Sequence, residues 1–226
     1  MHVKRIVERL AGVVRNTSGV AAVELALGAP LVLTLGLWGA ELGNLAITHM
    51  RVSQLAMQLA DNGSRIGDVS MLENLKIYES DINDLLVGAN IQAGKLDLFE
   101  HGRVVISSLE VMPGTEDTQY IHWQRCKGKR NFQSSYGGEG TGTDGSLSGM
   151  GPAGEEVTAT EGDAVIFVEI EYAYQPLVSQ RFVPDAVVRT TATFNVRADR
   201  DLTQIYQRNG AAPDPIAQCN VYNGYD

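Results

Sequence analysis

From Leu25 to Ala40 the chain carries no charged side chain and one polar one, Thr34. No Lys or Arg occurs between Arg15 and Arg51. The uncharged stretch falls a little short of the ~20 residues a membrane-spanning helix needs. Counted from Val20 to Ile47 it is long enough, provided Glu24 and Glu41 are tolerated near its ends. A core helix of a soluble protein should show a polar face, and this run is apolar all round. A cleaved secretory signal needs small residues just before its cut. Cutting after Ala40 or after Gly39 puts Trp38 or Leu37 where one of those small residues belongs. The favoured reading is a retained transmembrane helix over 20–48.

Charge gives that helix a direction. Residues 1–19 hold Lys4, Arg5, Arg9 and Arg15 against Glu8, a net of +3, which leaves −12 for the rest of a chain with a total of −9. Basic residues before a spanning helix keep that end in the cytoplasm, so the C-terminal body is expected outside. An acidic body argues against nucleic acid as a partner, because phosphates require a basic surface.

Helical periodicity continues past the apolar run. Leu42, Leu45, His49, Val52, Ala56, Leu59 and Ile66 recur at spacings of three and four. This predicts a helix extension over 49–67, with a stop near Asn62-Gly63. The stripe packs either on this chain's own body or on partner helices. Gly28 and Pro30 are candidate kink residues, since Pro removes a backbone hydrogen bond.

The body, 68–226, changes period. Ser70 to Glu73 fits a capping box, so a short helix should follow, with another near Asp81 to Val87. Leu96 to Phe99 and Arg103 to Met112 read as strands joined by a hairpin at His101-Gly102. Gln119 to Arg125 and Ala186 to Val196 read as further strands. In Ala164 to Tyr174, Val165, Phe167, Glu169, Glu171 and Ala173 alternate with Ile166, Val168, Ile170, Tyr172 and Tyr174. The expected fold class is α+β: a long N-terminal transmembrane helix leading into a small antiparallel sheet with short helices.

Sites for chemistry are sparse. Residues 136–154 form a Gly-rich loop, but Thr143 stands where the third Gly of GxGxxG belongs, and no helix pattern follows. An exposed, flexible loop is expected there, with calcium binding through Glu139 and Asp144 as an alternative. The four histidines show no metal-ligand spacing. Ser107-Ser108 lacks the Gly elbow of a nucleophile. No catalytic residue, metal, cofactor or small-molecule substrate is therefore expected. Cys126 and Cys219 match no zinc or CxxC motif. In an exported body they would pair for roughly 2–4 kcal/mol; two unrelated thiols is the other reading.

The run Gly19-Val20-Ala21-Ala22-Val23-Glu24-Leu25 resembles the processing site of type IV prepilins. Arg15 through Gly36, with Pro30 inside it, is similar to TadE-like minor pseudopilins of tight-adherence (Flp) pilus systems. Those proteins favour an aromatic residue after the Glu, where this chain has Leu25. His122 to Gly128 resembles a Trp-Gln-Arg segment of the family's outer domain, and Val165 to Leu177 its late strand. The resemblance implies a bacterial inner-membrane protein with a periplasmic domain. A separate prepilin peptidase would cut after Gly19, which frees the amine of Val20. Glu24 would then meet the amine of a neighbouring subunit. The implied partners are that peptidase, the membrane, other pseudopilins and pilus assembly proteins. The alternative is an uncleaved, membrane-anchored scaffolding or binding module.

Overall fold

The computed structural model describes residues 19–67, 74–197 and 199–225. The basic leader before Gly19 and the Ser70–Glu73 capping box lie outside them. The protein is mixed α+β. A 44-residue helix, α1 (Val20–Gly63), leads. It is followed by α2 (Glu79–Ala93), a 3-10 turn (Gly94–Leu96) and a short α3 (Leu98–His101). Four strands complete the fold: β1 (Gly102–Val111), β2 (Gln119–Lys127), β3 (Ala164–Ala173) and β4 (Val187–Asn195). They form one antiparallel sheet in the order β2-β1-β3-β4.

The chain divides into two compact units. One contains α1 as far as Asn44 together with Pro176–Pro184. The other contains Leu45–Gln175 and Asp185–Asp226.

In the larger unit, the period-two pattern sorts side chains between the sheet's two faces. Ile166, Val168, Ile170 and Tyr172 of β3 join Val104 and Ile106 of β1 in a core with the helices. From α1 that core takes Val52, Leu55, Ala56, Leu59 and Ala60; from α2 it takes Ile82, Leu86 and Ala89. The inward stripe of α1 therefore differs from the predicted one at its start. Leu42 and His49 are exposed, whereas Leu45 packs partly buried against the core and Thr48 is buried.

The other sheet face has its own core. Val165, Phe167, Leu109 and Ile121 pack with Met150 and Ala159. Met150 belongs to the Gly-rich segment and is fully buried. That segment is thus not simply an exposed loop. It covers a sheet face, and it also covers an edge. β2 is an edge strand, and unpaired edge groups invite foreign strands. The amide of Ile121 donates to Thr141, and the amide of Gly140 donates back to Ile121. Glycine permits this fit: Gly142 has φ +95°, and a Cβ there would stand 2.3 Å from the Gln119 carbonyl oxygen.

Leu96 to Phe99 is not the strand that its composition predicts. It forms the end of the 3-10 turn and the start of α3, not a strand, and no hairpin forms at His101-Gly102. Asp97 takes the left-handed conformation (φ 47°), which breaks any extended run. α2 is longer than the predicted 81–87 segment. Its first turn is closed by Asp81, whose carboxylate accepts the Tyr78 amide at 3.0 Å.

Candidate functional site

The described part of the smaller unit is dominated by apolar surface. α1 is the one described helix long and apolar enough to cross a membrane, and none of its most apolar window is buried. Leu25, Leu27 and Leu31 are 69%, 75% and 63% exposed. At 1.5 Å per residue, Val20 through Ala40 extends about 30 Å, close to the hydrocarbon thickness of a bilayer.

Gly19, Val20 and Glu24 sit at the start of this helix and are all exposed. Val20 and Glu24 are four residues apart, so both lie on one helix face. Among the described residues, a Cβ at Gly19 would meet nothing within 4 Å. The fold therefore gives no reason for glycine there. Gly28, Gly36, Gly39 and Gly43 are equally unhindered. Each costs about 1 kcal/mol of helix propensity relative to Ala, and no packing among the described residues explains them. The helix runs unbroken through Gly28 and Pro30, where the Thr34 hydroxyl donates to the Pro30 carbonyl at 2.7 Å.

Glu41 is different from every other residue of the apolar stretch. It is fully buried. Its carboxylate accepts the backbone amides of Leu177 (3.0 Å), Val178 (2.7 Å) and Ser179 (3.4 Å). Charge-assisted bonds of this kind are stronger than neutral ones. They clasp the Pro176–Pro184 loop onto α1. We expect Glu41→Ala to release this clasp. Amide hydrogen exchange at residues 177–179 should then quicken by roughly tenfold to a hundredfold, at 1.4 kcal/mol per decade. Unchanged exchange would show that other contacts hold the loop.

In the larger unit, Cys126 and Cys219 form a disulfide that joins β2 to the C-terminal segment. Arg103 reinforces it. This guanidinium is fully buried, and burial lowers its pKa. It donates to the carbonyls of Gly128 (2.8 Å), Val221 (3.0 Å) and Cys219 (2.7 Å), and it stacks on Tyr222. Gly128 allows the approach, since a Cβ there would stand 2.3 Å from the Gly102 carbonyl oxygen. The Cys126 amide donates to Ala217, so this segment closes more of the β2 edge.

Two polar clusters gather groups capable of metal or acid–base chemistry. Arg125 pairs with buried Glu79 and with Glu139. Asp144 instead accepts the Ser146 amide in its own turn. Glu139 and Asp144 thus engage separate partners, and no metal-binding group of three or more such side chains occurs among the described residues. In the second cluster, Ser108 donates to Glu110 at 2.6 Å, and His122 Nδ1 lies 2.8 Å from the other Glu110 oxygen. The carboxylate stands between Ser and His, so the imidazole cannot take the Ser proton as a triad requires. The Glu110 hydrogen bond raises His122 above its usual 6.5, against partial burial. Folding therefore favours the protonated imidazole. That stabilisation is complete below pH 6.5 and is lost as pH rises through the folded value. Urea midpoints should fall across that window in the wild type and vary less in His122→Gln. Equal profiles would remove His122 as the cause.

The sequence reading missed Glu41 as a clasp and Leu177 and Val178 as its partners. Only a carboxylate at the end of an apolar run hinted at the first. Compared with known protein families, with curated proteins and with solved structures, the chain gives no match.

Proposed function

We propose that this chain is a single-pass inner-membrane protein of the TadE-like minor pseudopilin kind, cut after Gly19 and built into or beside a Flp-type pilus. The observation that carries this reading is α1 itself. Its first part presents about 30 Å of exposed apolar surface, and its later part supplies Val52, Leu55, Ala56 and Leu59 to a folded core. One helix thus serves as anchor and as scaffold. Exposed Gly19, Val20 and Glu24 at its start suit a peptidase that needs an accessible backbone. The unhindered glycines suit close packing against other helices, where small residues let backbones approach. The disulfide suits an oxidising compartment.

An uncleaved anchored scaffold is the second reading. It is favoured by Leu25, where the family prefers an aromatic residue. Both readings put the body in the periplasm. Alkaline phosphatase fused after Asp226 should be active in cells, because that enzyme folds only outside the cytoplasm. An inactive fusion with intact cytoplasmic expression would overturn both.

A further inference from the structure

The Pro176–Pro184 loop is clasped to α1 yet presents apolar side chains outward. Leu177 is 67% exposed and Val178 41% exposed. Resting on the membrane-anchor reading above, we propose that this loop is a second membrane contact, which inserts Leu177 and Val178 into the outer interfacial layer of the bilayer that α1 crosses. The occupant is the same lipid surface, because the loop's level is fixed by the helix. Three backbone amides bind Glu41, and Glu41 lies about 30 Å along the helix from Val20. That is one hydrocarbon thickness, so the clasp falls at the boundary between chains and headgroups.

The chemistry at that level agrees. A bare carboxylate at the boundary would be penalised, and Glu41 has its charge covered by amides. Trp38 lies one helical turn below Glu41, is 46% exposed, and is of the type that collects at membrane interfaces. The loop's one charged side chain, Arg181, is exposed and suited to lipid phosphates. Beside a helix that spans the bilayer, two adjacent exposed apolar side chains at this level would meet lipid. The loop also joins β3 to β4, so such a contact would tie the sheet to the membrane at a second point.

The test uses full-length protein in vesicles of phosphatidylcholine and phosphatidylglycerol. The phosphatidylcholine is brominated either near the headgroup end or near the methyl end of its acyl chain. Bromine quenches tryptophan on contact. Trp123, buried in the core, stays in place as a constant background. Comparing wild type with Trp38→Phe reports on the anchor. Comparing Trp38→Phe with Trp38→Phe/Leu177→Trp reports on the loop. The expected result is that the tryptophan at 177 loses most of its emission to bromine near the headgroup end, and much less to deep bromine. If it keeps its emission with both lipids while Trp38 is quenched, the loop faces water or protein; the proposal is overturned and the anchor stands. If Trp38 also keeps its emission with both, the anchor reading fails and takes this proposal with it.

Discussion

Replacing Cys126 and Cys219 together by alanine is expected to lower unfolding stability by about 2–4 kcal/mol. The bridge spans 93 residues of sequence, so its removal frees a long loop in the unfolded chain. The C-terminal segment would also lose its covalent hold on β2. Arg103→Met should cost a comparable amount, about 3 kcal/mol, because the carbonyls of Gly128, Val221 and Cys219 lose their charged donor, the first of them in a buried bond. The two effects should not add. Once the segment is loose, the second tether holds less, so the triple variant should lose clearly less than the sum. Urea unfolding of the four proteins in one detergent, followed by near-UV circular dichroism, measures the coupling. Simple additivity would mean that the disulfide and the guanidinium stabilise different parts of the domain.

The second large effect concerns the start of α1. On the pseudopilin reading, Gly19→Leu should abolish processing, because a bulky side chain obstructs a peptidase that must reach the backbone. It should leave the fold intact, since a Cβ at that position meets open space. Glu24→Ala should act later. Cleavage is expected to continue, and piliation to drop to background. The reason is electrostatic: a new amine at Val20 loses hydration when subunits pack in the membrane, and without the carboxylate it has no partner. An anchor with no pilus role predicts the reverse. It would tolerate Glu24→Ala and would insert more readily, because a charge leaves the apolar helix. Pilus counts and membrane levels of the two variants, in cells where this gene is the sole copy, separate the cases. Normal piliation with Glu24→Ala would contradict the pairing role.

Residues that repeat regularly were legible in advance. The alternation in Val165 to Tyr172 assigned each side chain of β3 to its face, because a strand has only two sides. Arg103, Gln119 and Val187 lie at or beside the starts of strands read from the same period. The failures have physical causes. Leu96 to Phe99 has strand-like composition, but Asp97 adopts a left-handed conformation that no pattern of hydrophobicity encodes. The Gly-rich segment was read as solvent-exposed because glycine dominates it. Leu147, Met150 and Val157 were the missed signal, since apolar residues spaced within a loop can lid a sheet face. Glu41 was read as a tolerated charge near a helix end. Its partners lie more than a hundred residues away and contribute backbone amides, which leave no trace in side-chain patterns. The proposed anchor and processing residues are local features. For that reason a short stretch of sequence carries most of the candidate site, and the clasp upon it could not be read.

The most direct test of the proposed function is the N-terminus of the protein isolated from membranes of cells that make the pilus. Intact mass and N-terminal sequencing should give a chain that begins at Val20, and Gly19→Leu should give one that begins at Met1. A wild-type chain that still begins at Met1, in cells whose major pilin is processed, would contradict the pseudopilin reading and leave an uncleaved anchor.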